Sequence, residues 1–234
     1  MGQTTAAFDE MLNPAGGVRA AYADYRDWFD AQDPALLRRK DGEAENFFRR
    51  TGITFNVYGD DAGEERLIPF DMVPRIVTPS EWRKLSRGIE QRVRALNAFL
   101  HDIYHRQEIV RAGRLPQRLI AENAAFLPQM VGFVPPGGVY THIVGIDLVR
   151  TGPDEFMVLQ DNARTPSGVS YMLENRETMM AMFPELFTKV KVAPVQDYPR
   201  RLARSLAACA PAAAGDRPTV AVLTPGIYNS AYFE

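Results

Sequence analysis

Cysteine is almost absent. Cys209 stands alone in 234 residues, so the chain forms no internal disulfide and assembles no cysteine-rich zinc module. Histidine is scarce too, limited to His101, His105 and His142. No stretch approaches the ~18 apolar residues of a membrane span, and Met1–Glu10 lacks the basic region and apolar run of a secretion signal. Nor is there a surplus of either charge. Lys+Arg 27 against Asp+Glu 29 leaves −2, which removes the bulk positive field of a dedicated nucleic-acid binder. What is present is ordinary globular usage, 46% hydrophobic and 24% charged. A compact fold of 26.2 kDa would expose roughly 10,600 Å² and enclose a sizeable core. These features predict a soluble, cytoplasmic protein of mixed α+β class without a nucleic-acid or membrane partner.

Three regions are expected: a helical segment over 1–52, an α+β region over 53–212 and the start of a further α/β unit over 213–234. In the first, Val18, Tyr22, Tyr25, Trp28 and Phe29 recur at helical spacing and predict one apolar stripe. Asp33-Pro34 opens a second short helix through Leu36 and Leu37, and a third follows around Phe47 and Phe48, closed by Gly52. Ile53–Tyr58 alternates as a strand does, Gly59–Gly63 is turn chemistry and Arg66–Phe70 is the expected return strand. Thr78-Pro79-Ser80-Glu81 then combines a cap, a proline at the first helical position and a glutamate able to close a capping box. Trp82, Leu85, Ile89, Val93, Leu96, Leu100 and Ile103 carry the helix onward.

His101 and His105 lie four residues apart on that helix, a spacing shared with zinc proteases. Asp102 stands where those enzymes place glutamate, and catalytic zinc needs a third protein ligand. The expectation is that this pair holds no zinc.

Val139–Arg150 and Glu155–Asn162 read as two strands around a Thr151–Asp154 turn. If Arg150 pairs with Glu155, Asp147 lies opposite Val158 and shares a face with Phe156, Gln160 and Asn162. That inference depends on register, since a slip of one residue would reverse it. Beyond the strands, Arg164-Thr165-Pro166-Ser167-Gly168-Val169-Ser170 leads into a helix through Met172, Leu173, Arg176, Met179, Met180 and Phe183. Such a loop offers free backbone N–H groups to an anion, with Arg164 adding a planar fork; alternatively, Ser167 or Ser170 merely caps the helix. A helix near Tyr198–Cys209 and a linker follow. Thr219–Leu223 then reads as a fully buried strand, which needs partners on both sides and a crossover. The chain reads as part of something longer.

His142–Arg150, Val158–Tyr171 and Glu174-Asn175-Arg176 resemble the circularly permuted ATP-grasp proteins, relatives of glutathionylspermidine synthetase. Phe70–Ile76, Arg92–Leu100 and Leu223–Ser230 share the resemblance, which runs from about Gly52 to the end. It implies an ATP-grasp fold with helices packed on mixed sheets. It also implies ATP-dependent joining of a small-molecule or peptide carboxylate to an amine through an acyl phosphate, with Mg²⁺ as the metal. By position, the metal ligands it implies are Asp147, Gln160 and Asn162. The phosphate or substrate contacts it implies are Arg164, Ser167, Gly168, Ser170 and Asn175, with Arg164 the candidate catalytic group.

Two positions depart from the pattern. Glutamate is expected where Gln160 stands, so one formal charge of the ligand set is missing. Gly145 occupies the place where glutathionylspermidine synthetase carries arginine. The first departure opens an alternative, a scaffold or binding protein that keeps the fold without catalysis.

Overall fold

A computed structural model describes residues 7–56, 65–164, 166–224, 226–227 and 232 of the chain. A 3-10 turn over Ala20–Tyr22 leads into α1 (Ala23–Asp30). Tyr22, Tyr25 and Trp28, three residues apart, are all buried, as the aromatic stripe predicts. Val18 lies ahead of the helix, bridged to Leu12 and exposed.

The two short helices expected after Asp33 are a single one, α2 (Pro34–Thr51). Asp33 caps it by accepting the Ala35 N–H at 2.8 Å, and Gly52 ends it at φ +77°, a conformation that favours glycine. Gly42 does not interrupt the helix. A glycine costs about 1 kcal/mol there, less than the burial of Leu37, Ala44 and Phe48 contributes.

β1 (Thr54–Asn56) and β2 (Glu65–Leu67) pair antiparallel with Thr54 opposite Leu67. The return strand is thus shorter and earlier than expected; the turn expected over 59–63 lies outside the described residues. α3 (Pro79–Ile103) begins with the full capping box: Glu81 N–H donates to the Thr78 hydroxyl, and Thr78 N–H donates to the Glu81 carboxylate at 2.7 Å. Its apolar stripe is only half covered. Ile103 is buried while Trp82 is 57% exposed. Two single-turn helices follow, α4 (Glu108–Arg111) and α5 (Arg118–Ala121).

The central hairpin consists of β3 (Gly145–Gly152) and β4 (Glu155–Asn162), joined by a two-residue turn at Pro153-Asp154. The first strand starts later than the sequence suggests. At 140–141 the Asn97 side chain takes up the backbone instead, accepting the N–H groups of Tyr140 at 2.7 Å and Thr141 at 3.3 Å. α6 (Val169–Met182), α7 (Pro184–Lys189) and α8 (Tyr198–Ala208) complete the helices.

Two apolar clusters result. The larger joins Tyr22, Tyr25, Trp28, Leu37, Ala44 and Phe48 to Phe70 and to Met179, Phe183 and Leu186, so the N-terminal helices share a core with α6 and α7. The smaller gathers Ile103, Tyr104 and Ile120 at the end of α3. The chain exposes 17067 Å², well above the roughly 10,600 Å² of a compact fold of its mass. Two separate cores and, among the described residues, two small two-stranded sheets go with that excess. Residues 219–223 contribute as well: they form no strand, and Val222 and Leu223 are 81% and 97% exposed. The expected buried strand is absent because no neighbouring strand among the described residues supplies its ladder.

Candidate functional site

The hairpin register differs from the simple one. Arg150 pairs with Phe156 rather than Glu155, and Asp147 lies opposite Gln160 rather than Val158. The shift arises at two irregularities, one leaving Thr151 unpaired beside the turn and the other leaving Leu159 unpaired between Val158 and Gln160. Such a bulge re-aims the residues beyond it. Phe156 therefore lies on the face opposite Asp147, correcting the register-based expectation. Asp147 and Gln160 are directly across from each other, and Asn162 lies opposite Gly145, two residues along the same face. Asp147, Gln160 and Asn162 are all exposed. The Gln160 Nε2 group donates to Asp147 Oδ2 at 2.6 Å.

The inner face is held to α3 by charge. Arg92 grips Asp161, between Gln160 and Asn162 in the chain, through Nε and Nη2 at 2.7 and 2.6 Å. The guanidinium holds the Asp161 carboxyl below the usual carboxylate range. Near the turn, Arg150 is nearly buried and pairs with Glu81 and with Glu10. Burial works to raise the Glu81 carboxyl, but hydrogen bonds from Thr78 and the Arg150 charge outweigh it and leave the group lowered. Lys84 Nζ donates to the Asp154 carbonyl at 2.6 Å. Glu81, Lys84 and Arg92 follow one stripe of α3. Sequence reasoning missed this stripe, although three charged residues at helical spacing beside an apolar row were a readable signal.

Gly145 ties the site to the loop behind it. A Cβ placed there would lie 3.2 Å from the Pro166 Cβ and 3.7 Å from that of Asn162. An arginine at 145 would therefore have to push the loop away. Arg164 is exposed just past β4. Gly168, at φ +107°, is the N-cap of α6, so neither Ser167 nor Ser170 holds the cap position. Asn175 is exposed on α6.

His101, in the last turn of α3, and His105, in the turn just beyond it rather than on the helix, stack with ring centroids 4.2 Å apart. Their Nδ1 atoms meet the His101 carbonyl at 2.7 Å (from His105) and the Tyr140 hydroxyl at 3.1 Å (from His101). Among the described residues, no cluster of three or more His, Cys, Asp or Glu side chains is placed to hold a metal. A metal on the hairpin would instead meet one carboxylate and two amide oxygens. Hard oxygen donors suit Mg²⁺, and a single formal charge fits one ion completed by phosphate and water rather than two held by protein alone. Two clefts, beside Glu10 and Arg75 and beside His142 and Cys209, are not lined by hairpin residues.

Relatives place this geometry in context. A protein from Synechocystis sp. is 44% identical over 227 residues, covering 97% of this chain and 47% of its own length. One from Mycobacterium tuberculosis is 47% identical over 228 residues, covering 97% of this chain and 40% of its own. A Frankia casuarinae protein named "Putative glutamate--cysteine ligase 2-2" is 39% identical over 227 residues, covering 97% of this chain and 26% of its own. The chain thus spans less than half the length of these relatives. A family model described as circularly permuted ATP-grasp type 2 matches residues 74–234, which include α3, the hairpin and the loop after it. By that match, the chain belongs to the circularly permuted ATP-grasp type 2 family.

Proposed function

We propose that this chain carries the metal-binding hairpin of an ATP-dependent ligase that joins a carboxylate to an amine through an acyl phosphate on the substrate. The observation that carries the reading is the alignment of Asp147, Gln160 and Asn162 on one exposed face within the family-matched region. Asp147 supplies the charged oxygen, while Gln160 and Asn162 offer amide carbonyls. Magnesium bound there would offset the charge of the ATP phosphate oxygens. Arg164 suits a phosphate or substrate carboxylate with its two-pronged fork. Ser167, Gly168 and Ser170 lie at the start of α6, where backbone N–H groups and the helix dipole favour an anion, and Asn175 lies further along the same helix.

The Frankia relative's name supports amino acids as substrates, glutamate as the acid and cysteine as the amine. The resemblance to glutathionylspermidine synthetase supports the wider class, a small-molecule or peptide carboxylate and an amine. The reading places the protein in the cytoplasm without a nucleic-acid or membrane partner. Among the described residues no helix is long and apolar enough to cross a membrane.

A second reading, a scaffold that keeps the fold without turnover, draws on Gln160. Its amide occupies the Asp147 carboxylate and adds no charge of its own. Hydroxylamine trapping separates the two readings. The intact gene product would be given Mg·ATP, glutamate and hydroxylamine, and assayed for ADP and hydroxamate. The ligase reading expects both products, lost in Asp147→Ala. Products unchanged in Asp147→Ala would refute the site. No products even with Gln160→Glu would favour the scaffold.

A further inference from the structure

The hairpin carries two registers. Near the turn Leu148 faces Val158, while at the open end Asp147 faces Gln160, with Leu159 left over between them. Had the turn-end register continued unbroken, Leu159 would face Asp147, and Gln160 would lie under the sheet beside Ile146. Asp161 would then point outward. A one-residue slip of this kind exchanges the faces of every residue beyond it. The bulge itself leaves Leu159 72% exposed, so something else must favour it. No third strand flanks the hairpin among the described residues to impose a register.

The contact that distinguishes the two registers is Arg92 with Asp161. Its two charge-assisted hydrogen bonds form only when Asp161 faces α3, and a guanidinium–carboxylate fork is directional as well as strong. The turn end has separate anchors on the same helix, Glu81 to Arg150 and Lys84 to the Asp154 carbonyl. We infer that Arg92 is a positioning residue: its hold on Asp161 selects the bulged register and thereby sets Asp147, Gln160 and Asn162 side by side. The role of that face in binding metal rests on the proposed function; the register claim rests on the strand geometry.

Nuclear Overhauser contacts in the isotopically labelled chain test the two separately. Wild type should show cross-strand contacts pairing Asp147 with Gln160 and Gly145 with Asn162. In Arg92→Gln these contacts should fade at least several-fold in favour of Asp147 with Leu159, while the Leu148–Val158 contacts persist. Arg92→Lys, which keeps the charge but not the fork, should fall between. Exchanging the pair, Arg92→Asp with Asp161→Arg, should restore the wild-type pattern. Unchanged Asp147–Gln160 contacts in Arg92→Gln overturn the inference. So does loss of the Leu148–Val158 contacts, because Arg92 would then hold the whole hairpin rather than its register. Mn²⁺ added to each sample reports on the face itself through broadening of the Gln160 and Asn162 side-chain amide signals. Broadening in wild type that falls several-fold in Arg92→Gln supports both the metal-binding face and its dependence on Arg92. Absence of broadening in wild type overturns the metal reading while the contacts still decide the role of Arg92.

Discussion

Gln160 and Asp147 meet across the strand pair as amide and carboxylate, with Nε2 donating to Oδ2 at 2.6 Å. The bond satisfies the carboxylate in the absence of a cation, and a metal would have to displace that N–H before the Gln160 carbonyl could turn toward it. A glutamate at 160 would instead set two carboxylates facing each other. Directly opposed like charges destabilise a strand pair, and the hydrogen bond is lost as well. We therefore expect Gln160→Glu to lower the stability of the metal-free chain by about 1 kcal/mol. With divalent cation the sign reverses, and Mn²⁺ affinity should rise roughly tenfold, about 1.4 kcal/mol. Thermal unfolding with and without Mg²⁺, together with a Mn²⁺ titration, checks both halves. A variant as stable as wild type without metal, binding Mn²⁺ no better, would remove the ligand role of position 160.

Glu81 serves two structures at once. It closes the capping box of α3 and pairs with Arg150, whose guanidinium also packs over the Phe156 ring at 5.1 Å. Thr78→Ala removes only a cap and should cost about 1 kcal/mol. Glu81→Gln keeps the shape but strips a charge from a nearly buried pair, leaving Arg150 with the more distant Glu10 carboxylate and the Gly152 and Pro153 carbonyls, and should cost about 3 kcal/mol. Chemical denaturation of both variants gives the comparison; equal costs would show that Glu81 acts as a cap and nothing more.

The capping box was legible because every part of it lies within four consecutive residues. The same holds for the Asp33-Pro34 start and Gly52 end of α2, where local chemistry alone decides. The register of the hairpin was not legible. The bulge at Leu159 depends on Asp161 meeting Arg92, which is 69 residues away in the chain, and no spacing rule within the strands encodes that partner. Residues 219–223 show the opposite failure. Their composition suits a strand, but a strand forms only against a ladder. The roles proposed for Asp147, Gln160 and Asn162 rest on family resemblance, whereas their common face follows from the pairing.

Phe183 is the residue that ties the N-terminal helices to α6 and α7. It is fully buried, meets the Trp28 ring edge-on at 5.1 Å and lies under Lys40 Nζ at 4.9 Å. Phe183→Ala should cost about 3–5 kcal/mol through lost burial and the cavity left behind. Leu202→Ala is the matched control. It lies in α8, which has no buried residue, and should cost less than about 1 kcal/mol. Urea unfolding followed by Trp28 fluorescence measures both, and a Phe183→Ala cost as small as the control's would mean the larger cluster does not act as one core.

Acid should release the hairpin from α3. The Asp161 carboxyl is held below its ordinary 3.8 by the Arg92 hydrogen bonds, so the folded state binds its proton less readily than the unfolded chain does. A depressed carboxyl contributes its full stabilisation above the unfolded value and loses it as pH falls through the lower, folded value. Glu81 is depressed from 4.5 in the same sense, with Thr78 and Arg150 as the cause that outweighs burial. The link between β4 and α3 should therefore be insensitive to pH from neutrality down to about 4.5 and weaken progressively below 3.8. The Arg92 side chain is partly exposed whereas Arg150 and Glu81 are nearly buried, so added salt should weaken the Arg92–Asp161 pair more than the Glu81–Arg150 pair. Amide exchange along Gly145–Asn162 is the direct measure. Protection should fall with acid in wild type, and Asp161→Asn should show a lower protection at neutral pH together with a flatter acid response. A wild-type hairpin whose protection is the same at pH 3 as at pH 7 would mean that charge does not hold it in place. The position of Asp147, Gln160 and Asn162 would then have to be traced to the half-buried Ile146, Leu148 and Phe156 on the inner face.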